Sequence, residues 1–327
     1  MARGRNKIEY EVVEGWERLP EGWSFVEVAG VATDSRDRVY AFNRGEHPMI
    51  VFDADGNFVD AWGEGVFTNP HGIYIGPDDR IYCADNFDHT VRIFEPDGTL
   101  LQTLGEKDDP SDTGFVPGEN AVEHGGGPFN RVTNIALSAD GDLYIADGYG
   151  NARVHKFSAE GEWLFSWGEP GEGPGEFHLP HAIAVSEDGL VYVADRENSR
   201  IQVFNASGEY VTEWTHVTRP DDLYIDAAQN LFVAELGEIA GKAPGTEIPP
   251  HAPHARVSIL DLDGEVQTRF GGKDPVLPGN FFAPHGIWSD SRGDLYVSEV
   301  VYSGGARHGL VPLDCHALQK FVRVEMT

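Results

Sequence analysis

The chain is 327 residues long and 40% hydrophobic, enough for a sizeable core in one large domain or two ordinary ones. Its 24 basic and 54 acidic residues leave a formal charge of −30, a field that repels phosphate backbones and anionic bilayer surfaces and so excludes nucleic acid and membrane as expected partners. No apolar run approaches the roughly 20 residues that span a bilayer, and two cysteines, Cys83 and Cys315, are too few for a disulfide framework, so both are expected to be reduced.

The first residues are basic and lack both an apolar h-region and a small-residue cleavage site. Residues 1–8 are therefore read as a flexible tail, and the default expectation is a cytoplasmic location. From about Glu9 to Phe25 a stretch precedes the first full blade, and the last blade ends with Leu318-Gln319-Lys320-Phe321-Val322, so a terminal strand is expected to close the ring. A unit then recurs six times: an apolar strand, a Gly or Asp turn, a strand with an aromatic near its start and an acidic or amide residue at its end, a third alternating strand, a turn such as Asp55-Gly56 or Asp97-Gly98, and a fourth strand. The second strands end at Asn43, Asp85, Asp147, Asp195, Glu235 and Glu299. Two units are lengthened, by about residues 106–128 and 237–255, and these insertions are candidate lids. Four short antiparallel strands per unit at forty-odd residues predict an all-β, six-bladed β-propeller forming a single domain over residues 1–327.

In a propeller the first strand of each blade lines the central channel, so equivalent repeat positions form a ring. Aligning the first strands puts Ala29, His71, Thr133, His181, Asp221 and His285 in that ring, each histidine coming directly after a proline. The histidines fall on blades two, four and six, about 120° apart, and converge as three nitrogen ligands with a fourth position open, the arrangement of catalytic zinc. Other divalent transition metals also accept imidazole. The acidic residue ending each second strand recurs in every blade and is expected to bond turns. The position after that acid varies from blade to blade. Arg44 and Arg196 occupy it at equivalent strand ends, facing one channel mouth, and are candidates for holding a carboxylate through bidentate bonding.

The unit resembles the NHL repeat. More particularly, Phe42-x-Arg44-Gly45, Pro70-His71-Gly72, Asp147-Gly148-Tyr149-x-Asn151-x-Arg153, Pro180-His181, Ala194-Asp195-Arg196-Glu197-Asn198-Ser199-Arg200 and Pro284-His285 resemble, in the same order, the peptidyl-α-hydroxyglycine α-amidating lyases. That resemblance implies zinc held by His71, His181 and His285, Tyr149 as base, and Arg44 and Arg196 as active-site arginines. It implies a C–N lyase acting on an N-substituted α-hydroxyglycine-like acid, with a glyoxylate-type product. It also implies calcium held by the backbone carbonyls of Val31 and Ile73, although the aspartate next to the third histidine in the family is Gly286 here. The methionine before the family's third Pro-His is Ala283, which suggests a reshaped pocket. No copper monooxygenase segment is present in these residues, so another small α-hydroxy-amide or hemiaminal acid is the expected substrate, a carboxylate-bearing small molecule. Metal-dependent hydrolysis of the lactonase type and a non-catalytic NHL interaction scaffold are the alternatives; the oligomeric state is not encoded legibly.

Overall fold

The computed structural model describes residues 8–118, 121–242, 245–249 and 251–324; apart from Ile8, the expected tail over residues 1–8 lies outside them. Six four-stranded antiparallel sheets stand in sequence around a channel. Their inner strands are Val28–Thr33, Pro70–Ile75, Val132–Leu137, Pro180–Val185, Pro220–Ile225 and Pro284–Ser289. The second strands, among them Val39–Asn43, Ile81–Asp85, Leu143–Asp147, Val191–Asp195 and Leu295–Glu299, are buried along their whole length. Such strands read as continuous apolar runs because a neighbouring blade covers each face. The outermost strands, such as Phe58–Trp62 and Leu100–Leu104, are largely exposed.

The core consequently lies between blades. Ala32, Tyr40, Phe42 and Met49 of the first blade pack with Ile73, Ile81, Cys83 and Phe94 of the second, and comparable clusters fill the other seams. Ring closure comes from the N-terminal strand. Glu9–Val13 pairs antiparallel with Leu318–Val324, which pairs with Leu295–Glu299, so the sixth blade takes its outermost strand from the start of the chain. Cys83 is buried, Cys315 is partly buried, and both are free.

The recurring acid at the end of each second strand ties down the segment that enters the inner strand. Asp85 accepts the N–H groups of Thr68 and Asn69, Asp147 that of Asn130, Asp195 that of His178, Glu235 that of Thr218, and Glu299 those of Phe282 and Ala283. Asn43 does the same for Val26. A carboxylate that satisfies two buried N–H groups fixes where the next strand starts, so the expected turn bonding is a register device. A third lengthened region, not separated in the sequence, lies in the sixth blade. Between Glu299 and Leu318 the chain forms a helical turn, Val301–Gly304, and a short 3₁₀ turn, Ala306–His308.

Candidate metal centre

In every blade the antiparallel register breaks just after the first residue of the inner strand, between Val28 and Gly30, Pro70 and Ile73, Val132 and Asn134, Pro180 and Ala182, Pro220 and Asp222, and Pro284 and Gly286. A bulge leaves its extra residue out of the ladder and re-aims its side chain. The bulged residues are the ring positions Ala29, His71, Thr133, His181, Asp221 and His285. Freed from the ladder, the odd-blade carbonyls accept from the even-blade imidazoles. His71 Nδ1 donates to Thr133 O at 2.8 Å, His181 Nδ1 to Asp221 O at 2.6 Å, and His285 Nδ1 to Ala29 O at 2.6 Å.

Because a carbonyl can only accept, each Nδ1 carries the proton and each Nε2 presents a lone pair. The three rings converge, with centroids 4.7–4.9 Å apart, and one nitrogen from each lies within 4.8 Å of the other two. All three are buried, and burial pushes each imidazole well below the usual histidine range, with Arg196 adding to the effect at all three and Arg44 at His71 and His285. They are neutral imidazoles held by backbone acceptors, the pattern found around protein-bound metal ions. His71 Nε2 is buried with no partner. An orphaned acceptor facing two other imidazoles fits a divalent transition ion such as zinc, and His71, His181 and His285 would hold it.

Tyr149 joins this centre. Its hydroxyl lies 3.2 Å from His181 Nε2 and accepts from Arg196 Nη1 at 3.1 Å. The approach needs the preceding glycine, since a Cβ on Gly148 would meet Pro180 O at 2.2 Å. Arg196 is buried and also donates to Asp221 Oδ1 at 3.1 Å and to Glu197 at 3.0 Å. Burial opposes its charge, but Tyr149, Asp221 and Glu197 prevail and raise its pKa. Burial likewise raises Glu197, yet Arg196 and Arg219 hold it down at about 2. Arg44 donates through Nε to Pro70 O at 2.7 Å and through Nη1 to Glu27 at 3.0 Å, so part of its guanidinium already serves a protein carboxylate. Glu27 in turn accepts from the backbone N–H of Ser303 in the third insertion.

Sequence reasoning placed Asp221 in the ring without a role and missed Glu27, Glu197 and Arg219 altogether. Glu197 carried one signal, its place within the Asp-Arg-Glu-Asn phrase; Glu27 carried none. Val31 and Ile73 are buried in the layer beneath the histidines. Position 286 brings no carboxylate to them: a Cβ there would meet Ser298 Oγ at 2.4 Å and Gly30 Cα at 2.9 Å, so only glycine fits. Asp222 has its oxygens taken by Asn134 and by the N–H groups of Leu223 and Ile287. The histidine triad is the one cluster of three or more candidate ligating side chains among the described residues.

Arg44, Tyr149, Arg196 and His285 line a cavity of about 840 Å³. Its walls include Ala121 and Val122 of the first insertion, Ala240 to Lys242 of the second and Ser303, Gly304 and Arg307 of the third. Gly241 donates to Gly304 O, joining two of these walls. Five cationic side chains line it against three carboxylates, whereas acids outnumber bases more than two to one in the whole chain. The cavity is thus a locally cationic basin in an acidic protein.

These features define a six-bladed propeller with a buried three-histidine centre at the floor of a cationic cavity. Residues 177–204 match the NHL repeat family. The human NHL repeat-containing protein 3 is 32% identical over 256 residues, which cover 73% of this chain and 72% of that protein. The chain belongs to the NHL-repeat propeller family. It is also 30% identical over 254 residues to the fruit-fly (Drosophila melanogaster) peptidyl-alpha-hydroxyglycine alpha-amidating lyase 1, covering 73% of this chain and 44% of that one. To the frog (Xenopus laevis) peptidyl-glycine alpha-amidating monooxygenase B it is 30% identical over 311 residues, 84% of this chain but 33% of the relative. A solved gluconolactonase from Xanthomonas campestris superposes with a TM-score of 0.61 at 12% identity over 92% of this chain and 87% of that one, a likeness of fold alone. No helix of the described residues is long and apolar enough to cross a membrane.

Proposed function

We propose that the protein is a zinc-dependent lyase that cleaves the C–N bond of an N-substituted α-hydroxyglycine-like acid, releasing an amide or amine and a glyoxylate-type product. One observation carries the reading: the Tyr149 hydroxyl stands between His181 Nε2 and Arg196 Nη1, at 3.2 and 3.1 Å, on the floor of a cationic cavity. Relatives named as amidating lyases support it.

Zinc bound by the histidines would supply Lewis acidity, making the α-hydroxyl of the substrate easier to deprotonate. Arg44 retains donors beyond those given to Pro70 and Glu27, and these bind the substrate carboxylate. Tyr149, whose oxygen accepts from Arg196, is the base that takes the hydroxyl proton. As the O–H pair becomes the new carbonyl, the C–N bond breaks and its electrons go to nitrogen, which takes up the proton that Tyr149 hands on and leaves as the amide or amine. The three insertions wall the cavity and limit water around the reacting carbon.

The test is turnover of N-benzoyl-α-hydroxyglycine by metal-replete protein, followed as glyoxylate. Activity that is abolished together with stoichiometric zinc in His71→Ala, His181→Ala and His285→Ala is the expected result. No glyoxylate above background from zinc-loaded protein rejects this substrate. Protein that takes up no transition metal rejects the metalloenzyme altogether.

A further inference from the structure

Three neutral imidazoles are not all that faces this centre. Asp221, the ring residue of blade five, sits between the blades that carry His181 and His285 and is completely buried. Its two oxygens are treated differently. Oδ1 accepts from Arg196 Nη1 at 3.1 Å and lies 3.3 Å from His181 Nδ1. Oδ2 has no hydrogen-bond partner and lies 4.0 Å from His285 Nε2. Buried carboxylate oxygens without a partner are rare, because leaving one bare forfeits its hydration.

The second orphan in the same chamber is His71 Nε2. Both are acceptors. So are His181 Nε2, to which only the Tyr149 hydroxyl can donate, and His285 Nε2, since both rings give their Nδ1 protons to backbone carbonyls. A chamber lined by four lone pairs and a single hydroxyl donor is matched by a cation; a water molecule brings two protons and leaves acceptors bare. Oδ2 stands back from the cluster of histidine nitrogens and carries no hydrogen bond of its own, while Oδ1 stays tied to Arg196. We propose that Asp221 is the fourth protein ligand of this centre, giving three histidines and one carboxylate for a divalent transition ion, with a fifth position left for the substrate oxygen.

The assignment rests on the three-histidine centre of the proposed function but not on the lyase chemistry. It gives Asp221 a double task, since Oδ1 holds the arginine that contacts Tyr149 while Oδ2 meets the ion. A carboxylate also removes one unit of positive charge from the loaded site, so the ion is held by Coulomb attraction as well as by nitrogen donation.

The experiment loads the full chain with zinc(II) or cobalt(II) alone and needs no substrate. In Asp221→Asn, zinc affinity from chelator competition should fall by at least about tenfold, and the visible bands of the cobalt protein should shift as an anionic oxygen leaves the coordination sphere. Unchanged affinity and unchanged bands overturn the proposal. A loss of affinity with unchanged bands also overturns it, by placing Asp221 outside the coordination sphere. Because Asp221→Asn leaves Arg196 partly uncompensated, the double variant Asp221→Asn/Arg196→Gln repeats both measurements with the ion pair removed as a unit. No glyoxylate production by the zinc-loaded unsubstituted chain, with the affinity loss and band shift still seen in Asp221→Asn, would count against the lyase reading and leave the ligand assignment standing.

Discussion

At the scale of the residue, the centre works through tautomers. A His Nδ1 bonded to a carbonyl cannot present that nitrogen to a metal, so three such bonds leave three Nε2 atoms pointing inward. Burial holds these imidazoles neutral to a lower pH than an unfolded histidine near 6.5. This sets their sign in the stability balance: below about 6.5 the unfolded chain takes up protons that the folded site refuses, so their contribution to stability is full above that pH and declines as pH falls. Zinc held there, as proposed, would compete with protons for the same Nε2 atoms. The expectation is that zinc survives dialysis at pH 6.5 and is lost only at lower pH, as elemental analysis across a pH series would show; loss already complete at pH 6.5 would contradict it. Tyr149→Phe should keep zinc at stoichiometry and lower turnover by roughly 10²–10⁴-fold, the range for losing a general base. Full activity in that variant would remove the tyrosine from the mechanism.

At the scale of the element, the bulge and the tether do the positioning. Each inner strand has, directly after its first residue, one that stands outside the ladder, and each is anchored by a side chain from the end of the neighbouring second strand, a carboxylate in five blades and Asn43 in the first. Asp85→Ala would strip the Thr68 and Asn69 N–H groups of their acceptor just before Pro70-His71. A cost of about 1–3 kcal/mol in urea unfolding is expected, together with weaker zinc binding, because His71 loses its fixed start point. Unfolding unchanged within error would show the tether to be dispensable. Gly148→Ala tests the approach of Tyr149 to the centre. Its new Cβ would overlap Pro180 O, so the variant should be less stable and should lose turnover out of proportion to zinc content. Much of this level was legible. The repeated acid or amide and the turn glycines are local patterns, and the tether recurs in all six blades. The third insertion was not, because Ser298-Glu299-Val300-Val301-Tyr302 continues an apolar strand pattern through the point where the chain turns helical.

At the scale of the whole molecule, the ring holds the site together only if it is closed. Glu9–Val13 covers the outer edge of Leu318–Val324 in the blade that carries His285. A chain starting at residue 15 leaves that edge unpaired, which invites both opening and edge-to-edge association. It should show a lower thermal midpoint than the full chain and lose zinc more readily to a chelator. An unchanged midpoint would mean that the inner-strand contacts alone close the ring.

The sequence by itself determined the number of blades, the six ring positions and the equivalent strand ends at which Arg44 and Arg196 stand. These come from a period of forty-odd residues, and a period is visible without contacts. Only the tertiary structure decided which atoms meet. His285 finds its acceptor at Ala29, 256 residues away, Arg44 is partly neutralised by Glu27, and Asp221 turns one oxygen to Arg196 and leaves the other bare beside His285. The physical reason is that a repeat specifies each strand's place in its own blade, whereas partners across the channel are set by ring closure, which brings together residues that share no local pattern.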